Sequence, residues 1–527
     1  MPDRYTPRTV PDLLADRARQ EPDRPALETV GGARLTFAEW DHRATAVTSG
    51  LLERGVRPGD RVALLFDGRG WTEYAVAYCG VLRAGAVAVP CSDRLAAPQL
   101  RHVLTHSRSA AVLHGTGLVP PPDVECRFSA TVDEVAVAGP AVDSVPVSPH
   151  DLAQILYTSG TTGTPKAVGA SHANLTYGAA ERPNRRRLRH SNVFLHSFPI
   201  GTNAGQAMLL NAIDAHPAGL VLPQFTPARF LRLIETRQAG SVFVVPAMAV
   251  EMLNSPALAH HDLSAVRLIG STAAPLPPAV AVRLARAFPN AVLVNYYTST
   301  EAAPAQTSMV FDAARPDAVG RAADGQLMVA DAARRPLPPG SVGHVWLRSP
   351  YPRSYVDGGG DGTFAAGWVR MGDLGRLDAD GFLYLVDRDT DIVKSGAFKV
   401  STLQVEAALH EHPAVAEAAA VGLGHPTLGA VVGAVVVPRP GAAAAELGLA
   451  PLRRFLRDRL AGHELPARVL LAERLPRNSA GKVVKASLVD MFAADRGSVP
   501  GIGDSPRMPA SDRIVASGER SFVDGAT

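Results

Sequence analysis

The stretch Ile155-Leu-Tyr-Thr-Ser-Gly-Thr-Thr-Gly-Thr-Pro-Lys166 concentrates groups that can hold a phosphate. Gly160 and Gly163 let backbone N–H groups turn toward an anion, and Thr158, Ser159, Thr161, Thr162 and Thr164 add hydroxyl donors. The order is not that of a Walker loop, because no Gly-Lys-Ser/Thr follows the glycines. The bland alternative is a polar hairpin turn. Lysine usage sharpens the reading. Of 53 basic side chains only five are lysine: Lys166, Lys394, Lys399, Lys482 and Lys485. A lysine is a compact, mobile point charge that can follow a reacting phosphate or carboxylate, which arginine does less well.

The run Thr-Ser-Gly-Thr-Thr-Gly-Thr-Pro-Lys166 resembles the phosphate loop of the adenylate-forming superfamily of acyl-CoA synthetases, adenylation domains and beetle luciferases. Of these the chain looks most like a stand-alone acyl-CoA synthetase, and the resemblance continues in order to near residue 490. It implies that Thr158, Ser159, Gly160, Thr161, Thr162, Gly163 and Lys166 bind ATP. Asn295-Tyr-Tyr-Thr-Ser-Thr-Glu301 is similar to the family's Tyr-Gly-x-Thr-Glu segment, with Thr298 in place of the glycine. The resemblance makes Tyr297 an adenine-stacking residue, Thr300 a phosphate contact and Glu301 a Mg²⁺ ligand, a hard oxygen for a hard cation. Ala273 and Ala274, in Gly270-Ser-Thr-Ala-Ala-Pro-Leu276, would lie against adenine. Asp373 and Arg388 resemble the ribose-binding pair. Thr390 stands at the family's hinge, where an Asp or Lys is usual. Lys394 would contact phosphate, and Gly396 would line the coenzyme A tunnel. Lys482, in Leu475-Pro-Arg-Asn-Ser-Ala-Gly-Lys482, would be the catalytic cation that bridges the substrate carboxylate and the α-phosphate.

The acyl pocket is expected around Leu195–Gln206, with Pro199 at the position of the usual gate. Gly201, Ala204 and Gly205 remove side-chain volume there, which suits a bulky or hydrophobic acid; Val244, Met248 and Ser271 are further wall candidates, and ordinary core packing accounts for each equally well. No acidic residue occurs between Leu195 and Gln206, so a buried substrate ammonium would have no partner from this segment. An α-amino acid is therefore not expected. The implied reaction is ATP-dependent activation of a carboxylic acid to acyl-AMP, then transfer to coenzyme A. The alternatives are a ligase that loads a carrier protein and a degenerate module that binds nucleotide or acid without turnover. The basic cluster Glu181–His190 could meet coenzyme A phosphates or an acidic carrier protein, though a solvated loop serves as well.

Apolar runs alternate with helical spacing through the N-terminal part. Thr36-Phe-Ala-Glu39 reads as a capping box, with Phe37, Trp40, Ala44, Val47 and Leu51 on one face and Gly55 as a stop. Strands are expected at 62–66, 86–89 (closed by Pro90), 110–113 and 241–245, and a helix at 71–83. This predicts an α/β chain: a large N-terminal domain (1–388) of helix-covered, mostly parallel sheets, and a small mobile α+β C-terminal domain (389–495). The second domain should hold a helix near 403–410, strands near 416–421 and 430–437, and a helix at 452–460. Residues 496–527, rich in Gly, Pro, Ser and Asp, read as a disordered tail. The net charge of +3 argues against a nucleic-acid binder. Cys79, Cys91 and Cys126 lack metal-ligand spacing, and no apolar run reaches the roughly 20 residues of a membrane span. The expected location is cytoplasmic; nothing indicates the oligomeric state.

Overall fold

The computed structural model describes residues 6–137, 145–158, 165–180, 182–358, 362–478 and 481–495. Ser159, Gly160, Thr161, Thr162 and Gly163 of the phosphate loop, and the tail from 496, lie outside the described residues.

The helix Phe37–Glu53 begins at the expected capping box: Thr36 Oγ1 accepts from Glu39 N at 3.2 Å, and Glu39 Oε2 accepts from Thr36 N at 2.8 Å. Its stripe of Phe37, Trp40, Ala44, Val47 and Leu51 is buried. The stripe packs on the helix Trp71–Arg83, where Trp40 Nε1 donates to the Ala75 carbonyl at 2.9 Å. Glycine at 80 permits the approach, since a Cβ there would stand 2.7 Å from Val47 Cγ1.

Two large sheets carry the N-terminal part. In one, the strands Val292–Tyr297, Leu268–Ser271, Ser241–Val244, Val193–His196, Ala218–Val221 and Pro25–Thr29 lie side by side in parallel. Antiparallel strands Thr307–Val310 and Arg34–Thr36 close its edges. In the other, Leu152–Thr158, Val87–Ser92, Arg61–Phe66, Ser109–His114 and Phe128–Ala130 are parallel, and Lys166–Ser171 and Ser354–Tyr355 add antiparallel strands. The strand expected to stop at Pro90 continues to Ser92. Proline lacks only a donor, and on the Leu152–Thr158 side the pairing is confined to Ala88 and Gln154, so no ladder bond is lost there.

A third sheet was not foreseen. Ala318–Gly320, Leu383–Arg388, Trp368–Leu377, Gly343–Arg348 and Leu327–Ala330, with Phe364–Ala365 beside them, pair wholly antiparallel. Val319, Val345, Leu347, Val369 and Leu383 form its own core. Its signal is period-two alternation, which Trp368–Leu377 shows in its burial pattern and which the helical reading of the chain passed over.

The C-terminal domain is built on the antiparallel pair Val415–His425 and Gly429–Pro438. The helices Thr402–His410 and Leu449–Leu456 belong to it, and Val400, Val405, Leu409, Val415, Val432, Leu452 and Leu456 form a core drawn from this segment alone. The helix expected at 452–460 starts three residues earlier and ends at Leu456. Pro451 falls in its first turn, where a missing N–H costs nothing. No helix of the described residues is long and apolar enough to cross a membrane.

Candidate active site

Parallel strands deliver side chains at their C-terminal ends, and here three do so in register. Ser271 pairs with Val244 on one side and Asn295 on the other. Two residues beyond Asn295, Tyr297 reaches across to the antiparallel sheet, where its hydroxyl donates to Asp373 Oδ2 at 2.6 Å. Asp373 and Arg388 are direct cross-strand partners, with Arg388 Nε 3.5 Å from Asp373 Oδ1. The expected ribose pair is thus set by strand register. Tyr297 is tied edge-on to the same carboxylate through its hydroxyl. Each carboxylate oxygen retains a free lone pair for a further donor.

Lys482 joins this group from the C-terminal domain. The loop before it is held by Lys482 N donating to Asn478 Oδ1 at 2.9 Å and Arg477 Nη1 donating to the Gly481 carbonyl at 2.8 Å. A Cβ at Gly481 would stand 3.9 Å from Val245 Cγ2, at the mouth of the strand Ser241–Val244. Lys482 is solvent-accessible, yet it reaches into a cleft where desolvation lowers its pKa below the usual lysine value. Arg388 lowers it further, and Asp373 and Glu301 raise it. Burial raises the Asp373 carboxyl, opposed by Arg388, the Tyr297 hydroxyl and Lys482. Because Asp373 favours the charged ammonium, Asp373→Asn should move the alkaline limb of kcat/KM for pyrophosphate release to lower pH. A pH–rate profile of both proteins checks this; an unmoved limb would exclude Lys482 as the titrating group.

Thr158 and Lys166 pair across the base of the phosphate loop, so that loop closes an antiparallel hairpin. Lys166 Nζ lies 5.1 Å from the centre of the Tyr355 ring, and the Tyr355 hydroxyl is 3.5 Å from Glu301 Oε1. These contacts bring Lys166, Tyr355 and Glu301 to one wall. Tyr355 carries no motif, and the sequence reading missed it. Asn295, whose Oδ1 is buried without a partner, was also passed over as part of the strand end. Ala273 and Ala274 lead away from Ser271 on an accessible loop, with Ala273 at φ +74°.

Other expected residues are placed differently. Lys394 and Gly396 lie on the hairpin of Val393–Ser395 and Phe398–Val400, where Gly396 N donates to the Leu428 carbonyl. None of their recorded contacts is with Tyr297, Asp373 or Arg388. Thr390 occupies the turn after Arg388, its hydroxyl 3.0 Å from Asp391 Oδ1. Lys485 is a structural tie: its Nζ lies 2.6 Å from Thr402 Oγ1, 3.2 Å from Asp391 and 3.4 Å from Glu406. Thr402 Oγ1 in turn donates to the buried Asp387 at 2.9 Å.

The acyl-pocket glycines are a correction. A Cβ at Gly205 would stand 2.2 Å from the Pro199 carbonyl oxygen, and one at Gly201 would stand 2.8 Å from Ser92 N. Close backbone packing thus accounts for glycine at both positions without a ligand. The Pro199 carbonyl also accepts at 2.8 Å from the hydroxyl of Thr202, the residue that caps the helix Asn203–Asp214. Val244 and Met248 are buried at the strand end and on the helix Pro246–Asn254, and Ser271 Oγ is buried without a partner. His196 is fully enclosed beside Trp71 and Phe194, and burial pushes its pKa down to about 3, so it is neutral.

A phosphate-loop hairpin, a carboxylate–arginine pair in register and a lysine brought in by a second domain define an adenylate-forming enzyme. The chain belongs to the AMP-binding enzyme family: that family's model matches residues 14–354, and the AMP-binding enzyme C-terminal domain matches residues 404–482. Among its relatives, feruloyl-CoA synthase of an Amycolatopsis species is 31% identical over 494 residues, covering 90% of this chain and 97% of that protein. Long-chain-fatty-acid–CoA ligase FadD13 of Mycobacterium tuberculosis is 28% identical over 510 residues, covering 92% and 98%. The ATP-bound crystal structure of MatB from Rhodopseudomonas palustris superposes with a TM-score of 0.80 at 28% identity, covering 92% and 99%. The protein is an AMP-forming acyl-CoA synthetase: it activates a carboxylic acid as acyl-AMP with ATP and forms the thioester with coenzyme A.

Proposed function

We propose that the acid is a bulky or hydrophobic carboxylic acid, and not an α-amino acid. The observation that carries the adenylation chemistry is the Asp373 carboxylate held by Arg388 and the Tyr297 hydroxyl, with Lys482 of the C-terminal segment feeling both Asp373 and Glu301. The relatives' acids, ferulic and long-chain fatty, support the apolar character. So do Val244 and Met248, buried apolar side chains at the end of the strand Ser241–Val244 and on the helix that follows it.

In this reading Asp373 and Arg388 hold the ribose, while Tyr297, Ala273 and Ala274 border the adenine. The loop Thr158–Lys166 and Thr300 orient the phosphates. Lys482 places its ammonium between the acid's carboxylate and the α-phosphorus, which brings two anions together and stabilises charge as it builds in the transition state. The acid oxygen attacks the α-phosphorus, the bond to the bridging oxygen breaks, and pyrophosphate leaves. Glu301 fits a Mg²⁺ site as a half-buried carboxylate that the Tyr355 hydroxyl approaches at 3.5 Å, one hard oxygen donor. That donor set suits an ion completed by phosphate oxygens and water, whose chemistry is to neutralise the polyphosphate. For the second step the domain beyond Thr390 turns, Lys482 withdraws and Gly396 lines the path of the coenzyme A thiol.

The test is acid-dependent pyrophosphate release with ATP and Mg²⁺ over fatty, aryl and amino acids, with and without coenzyme A. Turnover with apolar acids that yields acyl-CoA is expected. Preference for an amino acid, or acyl-AMP that only a carrier protein consumes, would overturn the assignment.

A further inference from the structure

Four stretches far apart in the chain meet on one guanidinium. Arg353 is 6% exposed. Its Nε donates to Asn174 Oδ1 at 3.0 Å; its Nη1 donates to Asn203 Oδ1 at 3.0 Å and to the Thr300 carbonyl at 2.9 Å. Asn174, also buried, donates from Nδ2 to the Ala303 carbonyl at 3.0 Å and to the Tyr351 carbonyl. The turn from Thr300 to Ala303 is therefore gripped at both ends, and Thr300 and Glu301 lie on it.

The partners of Arg353 are all neutral. A buried cation ordinarily pairs with a carboxylate, because desolvating an isolated charge is costly. Among the described residues no carboxylate hydrogen-bonds or ion-pairs with Arg353. Burial outweighs the opposing influence of Tyr78 and Glu301 and brings the guanidinium pKa down to about 10. At neutral pH the group stays charged. It places a positive charge behind the turn that carries Glu301, which approaches Tyr355 beside Lys166, and three hydrogen bonds hold it there.

We propose that Arg353 is a positioning residue for the ATP half-reaction: it fixes the Thr300–Glu301 turn and supplies a standing positive charge that favours the polyphosphate. The inference rests on the adenylate site described above. A purely structural tie would weaken every activity together as the protein loses stability. A positioning role separates the two half-reactions, because the polyphosphate is present only in the first.

The experiment compares wild type, Arg353→Met and Arg353→Lys in two assays: acid-dependent pyrophosphate release, and coenzyme A-dependent consumption of supplied acyl-adenylate. Wild-type release tests the chemistry itself; the variant-to-wild-type ratios test Arg353. Arg353→Met should slow pyrophosphate release by about a hundredfold, the size of effect that a small misplacement of a catalytic turn produces, and leave the second assay at the wild-type rate. Arg353→Lys should restore the KM for ATP through its charge, but recover kcat only in part because it lacks the fork. Equal losses in both assays, or no loss in either, would overturn the proposal. Should Arg353→Met fail to fold, Asn203→Leu removes one acceptor while keeping the charge; it should show the same split at smaller size, and its absence there counts against the role equally.

Discussion

Lys482→Ala should lower acid-dependent pyrophosphate release by a hundredfold or more while the protein stays folded. Lys482 is accessible, and its recorded hydrogen bond is through its backbone N, to Asn478. Truncation therefore removes little packing. What it removes is a cation that the C-terminal domain brings to Asp373, Arg388 and Glu301. A preorganised charge at a crowded anionic transition state contributes on the order of 3 kcal/mol, which is roughly a hundredfold in rate. Transfer of a supplied acyl-adenylate to coenzyme A should be largely kept, because in the proposed reading Lys482 withdraws before that step. Pre-steady-state measurement of the two half-reactions decides it. Parallel loss of both would mean that Lys482 acts in the thioester step too, or that the domain does not turn.

Gly205→Ala should destabilise the protein by about 3 kcal/mol without changing which acids are used. The added methyl would meet the Pro199 carbonyl oxygen at 2.2 Å, a contact that only a backbone shift can relieve. That carbonyl also accepts from the hydroxyl of Thr202, whose Oγ1 caps the helix Asn203–Asp214 by accepting from Gly205 N at 3.0 Å, so the shift propagates into the cap. Denaturant unfolding beside an acid-preference profile checks both halves. A stable variant with an altered acid preference would restore these glycines to the pocket wall.

Asp373, Arg388 and Lys482 were legible in the sequence because each sits in a short run of distinctive residue types, whereas the centre of the expected phosphate loop lies outside the described residues. The capping box at Thr36, and the buried stripe behind it, were legible for the same reason: a helix is decided by residues three and four apart. The antiparallel sheet of residues 318–388 was not, since its strands are short and their partners distant. Arg353 and Tyr355 lay equally out of reach. Neither has a motif, and their partners at 174, 203, 300 and 301 are identified only once three sheets have packed.

By itself the sequence determined the chemistry, a phosphate cradle, a ribose clamp and a mobile cation, because those functions demand side chains that nothing else in an arginine-rich chain explains. It also determined the parallel α/β layering, through local periodicity. Only the tertiary structure decided what the glycines near residue 200 are for. Volume removed from a side chain looks the same in sequence whether a ligand or a neighbouring backbone fills the space, and here the Pro199 carbonyl and Ser92 fill it.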